Sequence, residues 1–449
     1  MNILVINGSP KGKNSITLQT VLFLQKKFPE HSFTLFHAAQ KIGKLEKDFA
    51  PAAEAIAQAE MLLFSYPVYT FIAPSQLHRF FELMKADGID VRGKIATQLT
   101  TSKHFYDTTA HRYIQDNVQE LGMHFIRGLS ADMEDLTTPK GRREAENWFR
   151  HLIWSAEQKL FEPYYPSGIS TPPVRVTVPQ EIFEGKQGNV VIIADLLPED
   201  TQLAAMISRF RSHLNCATRV VNIREYPFLG GCLGCFRCAA TGKCFYKDNF
   251  DTFLRTQIQT ADAMIYAFTI RDHSMGARFK MYDDRQFCNG HRTVTMGMPV
   301  GYLISGNYSR ESNLQMILEG RAQVGNNILA GIATDEQNPD AAIDALCANL
   351  TYSLAHKNTG PQNFLGVGGM KIFRDLIYQM RGFMRADHKF FKAHGQYDFP
   401  QKQWPKSLAM YLVGAMIANP KLHKKMDSAM TEGMLMPYTK VLKELDKTN

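Results

Sequence analysis

Four of the seven cysteines, Cys232, Cys235, Cys238 and Cys244, fall within thirteen residues as Cys-x2-Cys-x2-Cys-x5-Cys. A cluster this tight points to metal or redox chemistry rather than to a disulfide framework. Close Cys-x2-Cys turns let three thiolates meet one face of an iron–sulfur cube, and the fourth closes it from a short loop. Gly231, Gly234 and Gly242 let the backbone approach sulfur closely enough to donate N–H bonds. The run departs from the bacterial ferredoxin pattern, which places three residues before a final Cys-Pro. Two alternatives stay open beside a cluster: structural zinc, which usually takes paired knuckles farther apart, and free thiols or a redox disulfide. Cys216, Cys288 and Cys347 are scattered.

A second segment offers anion chemistry. GSPKGKNSIT (8–17) follows an apolar run, NILVIN (2–7), and precedes a helical pattern from about Ser15 to Phe28. A phosphate there would meet unpaired backbone N–H groups, a favourable helix dipole and the hydroxyls of Ser9, Ser15 and Thr17. The segment matches neither the Walker pattern nor G-x-G-x-x-G, so a nucleoside triphosphate or a Rossmann-type NAD site is disfavoured and a phosphomonoester fits better. The plain alternative is a polar loop in which Ser15 caps the helix.

After the apolar run 61–65 comes YPVYTFIAPSQL (66–77), then His78, Arg79, Phe80 and Phe81 on a helix. In an open α/β sheet, ligands sit beyond the carboxyl ends of the strands, so this loop and the phosphate loop should face one crevice. Pro67 and Tyr69 offer a flat, rigid surface to an aromatic ring. Together, GSPKGKNSIT and SYPVYTFIAPSQLHRFF resemble the NAD(P)H-dependent FMN reductase and iron–sulfur flavoprotein family, although His78 stands where that family has Lys. The resemblance implies a flavodoxin-like fold and FMN, with its phosphate on Ser9, Lys11, Asn14, Ser15, Ile16 and Thr17. It places the isoalloxazine ring on Pro67, Val68, Tyr69, Thr70 and Phe71. The ring's polar edge would meet the loop after the next strand, Thr100, Thr101, Ser102, Lys103 and His104. The cysteine spacing resembles the compact motif of the same family, which holds a [4Fe–4S] cluster.

The elements that must position these loops recur. Strand-like runs at 33–36, 61–65 and 95–99 alternate with helical stretches, which implies a doubly wound parallel sheet over residues 1–162. Residues 163–179 hold five prolines and cannot be regular helix or central strand. Beyond this Pro-rich linker (163–185) the rhythm restarts at NVVIIAD (189–195), a helix from about Asp200 to His213, TRVVNI (218–223), AMIYAF (263–268) and VGYLIS (300–305). Residues 186–357 thus read as a second copy of the α/β fold.

The two copies differ where chemistry is expected. Residues 196–200 (LLPED) replace a phosphate loop with an acidic pair at a helix start, which repels phosphate. The counterpart of the ring loop, Thr269 to Lys280, lacks Pro and Tyr, whereas the first copy has no cysteine. The division suggests a fused pseudo-dimer, FMN in one half and the cluster in the other, with one flavin per chain. A scaffold that merely covers the flavin is the plainer role for the second copy.

Residues 358–449 read as a helical tail with nine of the 21 Met. Residues 361–449 carry 14 Lys and Arg against 7 Asp and Glu, nearly the whole formal charge of +8. Phe373, Ile377, Met380, Phe383 and Met384 recur at helical spacing and are expected to pack on the domains or form a lid near the flavin. The other reading is a basic surface for anionic lipid or an acidic redox partner. No recognition motif accompanies the charge, so nucleic acid is not an expected partner. No apolar run reaches the roughly 18–20 residues of a membrane span. The start MNILVINGSPKGKNS lacks the charged region and cleavage pattern of a secretory signal, so the cytoplasm is the expected location.

Hydride transfer to flavin needs binding and orientation rather than a catalytic triad, and no specific catalytic residue is expected. His104, His111, His273 and His291 read as surface or packing histidines. Two classes remain: an NAD(P)H-dependent FMN oxidoreductase with an iron–sulfur relay to a small-molecule or protein acceptor, as a monomer or a homodimer, and a flavin and iron–sulfur electron carrier or redox sensor without a nicotinamide site.

Overall fold

The computed structural model describes residues 1–164, 172–179, 188–357, 360–399 and 403–417, with Leu435, Met436, Thr439 and Lys443. The first copy comprises β1 (Asn2–Asn7), α1 (Ile16–Lys27), β2 (Ser32–Phe36), α2 (Ala38–Leu45), α3 (Ala50–Gln58), β3 (Met61–Pro67), α4 (Ser75–Asp87), β4 (Ile95–Ser102), α5 (Asp107–Glu120), β5 (His124–Phe125), β6 (Leu129–Asp132) and α6 (Pro139–Glu157). Its sheet runs β2-β1-β3-β4-β5, with β6 pairing the far half of β4. All pairs are parallel, in registers such as Ile3↔Phe33, Ile3↔Met61 and Met61↔Ile95. This is the 2-1-3-4-5 order of flavodoxin-like sheets, whose switch point lies between β1 and β3.

Side-chain alternation explains why both faces are covered. Ile3 and Val5 point to a core shared with Leu18, Val21 and Leu24 of α1 and Phe149 and Leu152 of α6. Leu4 and Ile6 point the other way, towards Leu77, Phe80 and Phe81 of α4 and Tyr113 and Ile114 of α5.

The second copy repeats the plan with β7 (Val190–Ala194), α7 (Thr201–His213), β8 (Thr218–Asn222), α8 (Arg237–Thr241), α9 (Phe250–Phe253), β9 (Ala263–Thr269), α10 (Gly276–Arg285), β10 (Pro299–Ser305), α11 (Ser312–Gly325), β11 (Ile328–Thr334) and α12 (Pro339–His356). Its order, β8-β7-β9-β10-β11, is again 2-1-3-4-5. The chain therefore holds two flavodoxin-like doubly wound sheets. Of the Pro-rich stretch, 172–179 is irregular, with Val174 N–H donating to Asp335 O at 2.8 Å; residues 165–171 and 180–187 lie outside the described residues.

The helices after equivalent strands face one another, α4 against α10 and α5 against α11. One hydrophobic core runs through this contact, from Leu4 and Phe81 of the first copy to Val191, Phe279 and Leu318 of the second. Buried polar pairs lie within the same join, among them His78 with Asp272 at 2.6 Å.

α13 (Phe364–Gln379) packs on α11, and Gln362 Nε2 donates to Gln323 O at 2.6 Å. The helical pattern expected over 369–386 is interrupted at 380–384, before α14 (Arg385–Ala393). Residues 1–391 form one compact unit and residues 392–449 another. The latter contains α15 (Trp404–Ile417), the described part of the helix expected from Lys406 onward; most residues beyond 417 lie outside the description. No helix among the described residues is long and apolar enough to cross a membrane.

Candidate functional site

The phosphate loop leaves β1 at the switch point and is shaped by Asn7, whose Oδ1 accepts from Ser9 N–H at 3.1 Å and whose Nδ2 donates to Gly12 O at 3.0 Å. Gly12 adopts φ +54°, a left-handed conformation that costs glycine least, and a Cβ there would push the Gln40 side chain aside. Ser15 ends the loop as the N-cap of α1, its Oγ accepting from Leu18 N–H at 3.5 Å. Thr17 and Thr101 share a hydroxyl hydrogen bond of 2.6 Å that ties α1 to the end of β4.

Ser9, Lys11, Ser15, Ile16, Thr17, Pro67, Val68, Tyr69, Thr70, Thr101, Ser102 and Lys103 line one cavity. Three loops separated in sequence thus meet as the strand order requires. Asn14, Phe71, Thr100 and His104 lie off its wall. Asn14 is exposed, while Phe71 is buried against Tyr106 with ring centroids 4.1 Å apart. Thr100 Oγ1 lies 2.8 Å from His111 Nε2, and His104 turns outward to Asp107, also at 2.8 Å.

The sequence reading missed much of the opposite wall. Phe105 and Met133 come from the first copy, Gly234, Phe236, Phe287 and His291 from the second, and Ile372 and Leu376 from α13. Phe373, expected to pack or act as a lid, lines the same cavity and stacks on Phe105 at 4.5 Å. His291 Nδ1 lies 2.9 Å from Asp387 at the start of α14, so a histidine read as packing belongs to the wall. Phe373 fits the expected lid, and Gly234 and Phe236 sit inside the cysteine motif, but nothing local marks Met133, Phe287, Ile372 or Leu376, which reach the wall through long-range packing.

All four motif cysteines line an adjoining cavity with Tyr246, Arg285 and a fifth cysteine, Cys288. Its volume of about 160 Å³ is about tenfold the roughly 10–15 Å³ that one water needs on the same measure. All seven cysteines are free thiols. Burial pushes Cys238 up to about 11 and Cys288 up to about 12, and drives Cys232 higher still. Such thiols stay protonated and inert unless a bound cation offsets their burial. Donors face the sulfurs: Gly234 N–H points to Cys232 Sγ at 3.4 Å, and Arg285 Nη2 to Cys244 Sγ at 3.9 Å. Among the described residues, no three His, Cys, Asp or Glu side chains are gathered at metal-binding geometry. The donor set nevertheless fits an iron–sulfur group, since four thiols and N–H donors face one apolar space.

The two cavities share Val68, Tyr69, Gly234, Phe236, Phe287 and His291. At Gly234 (φ +59°) a Cβ would fall 1.9 Å from the Tyr69 hydroxyl, and at Gly231 one would fall 2.4 Å from Ser75 Oγ. The cysteine loop is therefore pressed against the ring loop of the first copy. Lys11 Nζ lies 5.5 Å from the Phe236 ring centroid, joining the phosphate loop to the same contact.

Residues 1–134 match the family described as NADPH-dependent FMN reductase. An iron–sulfur flavoprotein of Archaeoglobus fulgidus is 25% identical over 175 residues, covering 36% of this chain and 78% of the relative. Among solved structures, general stress protein 14 of Treponema denticola in complex with FMN aligns at 12% identity, over 34% of this chain and 98% of its own, with a TM-score of 0.29. An NAD(P)H:quinone oxidoreductase from Methanothermobacter marburgensis aligns at 13% identity, over 37% of this chain and 98% of its own, with a TM-score of 0.28. The family resemblance read from the two loops is the one that residues 1–134 carry.

Proposed function

We propose that the protein is an NAD(P)H-dependent FMN oxidoreductase whose second copy carries electrons onward through a [4Fe–4S] cluster. In this reading residues 1–162 hold FMN, 186–357 hold the cluster, 163–185 link them, and 358–449 form a tail whose α13 covers the flavin cavity. Ser9, Lys11, Ser15 and Thr17 bind the phosphate at the positive end of α1, with Asn14 and Ile16 contributing main chain. Pro67 to Thr70 support the ring, Phe71 backs that loop from the core, and Thr100 to Ser102 with His104 shape the loop at its polar edge. Cys232, Cys235, Cys238 and Cys244 ligate the cluster.

Bound FMN would accept a hydride, an electron pair with its proton, from the nicotinamide, and a cluster would take such electrons one at a time. The chain's own task is orientation: Tyr69 and Gly234 hold the two sites in contact while Phe105 and Phe373 exclude water from the flavin side. Because α4 pairs with α10 inside one chain, the relay needs no second subunit. The acceptor belongs to the quinone, nitro, azo or redox-protein classes.

The observation that carries this reading is the shared wall, with the cysteine loop on the ring loop. Anaerobic purification should give one FMN per chain together with about four iron and four sulfide. Adding NADH and NADPH separately should bleach the flavin rapidly with at least one of them. Two flavins per chain, or an absence of iron and sulfide, would refute the division of labour. A second reading, a carrier without a nicotinamide site, draws on Ile372, Phe373 and Leu376, which crowd the cavity. Failure of both nucleotides to bleach the flavin would select it.

A further inference from the structure

α10 carries four charged residues that are almost wholly buried: Lys280 (0% exposed), Asp283 (2%), Asp284 (0%) and Arg285 (1%). Charges are rarely buried unless their partners justify it. Asp283 pairs with Arg321 of α11 at 2.6 Å. The other three reach two different loops. Thr70 Oγ1 donates to Asp284 Oδ1 at 2.8 Å, and Ser75 N–H donates to Asp284 Oδ2 at 2.8 Å. Lys280 Nζ donates to Tyr69 O at 3.0 Å and also pairs with Asp284. The next residue along, Arg285, donates to Gly230 O at 2.8 Å and holds Asp248 at 2.7 Å, bracing the cysteine loop.

The ring loop needs such support. Thr70 has φ +43° and Phe71 φ +75°, left-handed conformations that are strained for a β-branched and an aromatic residue. Strain of this kind persists only where surroundings over-determine it, and the bonds to Tyr69, Thr70 and Ser75 bracket these two residues. All of these bonds come from the second copy.

We infer that Lys280 and Asp284 are positioning residues for the flavin ring loop of the first copy, so that the second copy sets the geometry of the flavin site as well as carrying the cysteines. The inference rests on the reading that FMN occupies that cavity, and it excludes the role of a passive scaffold. It also makes α10 a mechanical link, since Asp284 grips the ring loop and Arg285 grips the cysteine loop from adjacent positions.

Three variants of the full chain test this. Asp284→Asn keeps the shape but weakens the charge-assisted bonds. The double variant Lys280→Met with Asp284→Leu removes the pair together, a replacement that buried ion pairs commonly tolerate without unfolding. Asp272→Asn is the control: Asp272 is also fully buried in the α4–α10 contact, bonded to His78 at 2.6 Å and Tyr113 at 2.9 Å, but it touches no ring-loop residue. The first two should release FMN about tenfold more readily, or more, as expected for loss of a charge-assisted hydrogen bond, and should shift the flavin reduction potential. The control should retain wild-type FMN affinity and potential whatever its melting temperature. Wild-type affinity and potential in the double variant, or the same change in all three, overturns the inference alone. A wild-type chain that takes up no FMN overturns the reading beneath it as well.

Discussion

The two copies share a strand order and a core pattern, yet the crevice at the switch point is a lined cavity in one and is crossed by an internal ion pair in the other. The N-cap of α1 is Ser15, a neutral hydroxyl beside a lined cavity. The N-cap of α7 is Asp200. Its carboxylate accepts from Leu197 N–H at 2.8 Å, from Thr269 Oγ1 at 3.1 Å and from Arg271 Nη2 at 2.9 Å. It thus stands where an anion would bind and closes the gap between the loops after β7 and β9. Deeper in, burial pushes Asp195 up to about 6 despite its contact with Arg224 at 2.6 Å. One fold therefore supports a ligand cavity or an internal ion pair according to a few loop residues, because function resides in the loops and the sheet only places them.

The sharpest way to break the contrast is to transplant its deciding charge. Ser15→Asp retains a good N-cap but sets a carboxylate against the phosphate. At an effective dielectric near 20, one charge about 4 Å from another is worth several kcal/mol. FMN affinity should fall about a hundredfold or more, read as flavin retained per chain after gel filtration. Retention of a full flavin in this variant would show that the phosphate lies elsewhere.

A smaller effect probes the contact between the copies. Gly234→Ala imposes a left-handed conformation that costs an ordinary residue about 1–2 kcal/mol, and its Cβ would displace the Tyr69 hydroxyl. FMN binding should weaken roughly tenfold, measured by fluorescence titration, with iron content lowered in parallel. Loss of neither would separate the cysteine loop from the ring loop.

The mildest effect concerns the clamp across the join. His273 of the second copy lies 3.3 Å from Glu120 of α5 and 3.0 Å from Glu311. Burial alone would lower the pKa of His273, but the bonds to Glu120 and Glu311 push it up to about 10. A folded-state value above the ordinary one means that the stabilisation is complete below about pH 6.5 and fades as pH rises through about 10. On the acid side, hydrogen bonding to His273 pulls Glu120 down to about 2, so its share is present above its ordinary range and is lost as pH falls towards 2. His273→Ala should cost about 2 kcal/mol near neutral pH, and the difference from wild type in thermal unfolding should shrink between pH 7 and 10. A difference that stays constant over that range would remove the clamp from the account.

Much of the fold was legible because its signals are local. The buried strands are short apolar runs bounded by Gly, Pro or polar residues, and β1, β3 and β7 stand within a residue or two of the expected spans. The convergence of the loops after β1, β3 and β4 on one cavity was legible for the same reason, since turn chemistry and hydroxyl spacing are written in consecutive residues. The opposite wall was not. Met133, Phe287 and Leu376 carry no motif of their own, and Phe71, which sits among the ring-loop residues, turns away because its ring packs on Phe105 and Tyr106. Neighbours in sequence share a loop, but φ and packing decide which of them face the cavity.

By itself the sequence determined two α/β copies, a hydroxyl-rich loop leading into α1, a loop with Pro67 and Tyr69 after β3 and a cysteine motif confined to the second half. These follow from periodicity and spacing over a few residues, where backbone sterics and local hydrogen bonding dominate. Only the tertiary structure decided that the cysteine loop rests on the ring loop, that α13 covers the cavity, and that Asp284 grips Thr70 from 214 positions away. Those contacts arise from the burial of α4 against α10 and of α13 against α11, and apolar packing is non-directional along the chain, so no local pattern announces which distant residues it will join.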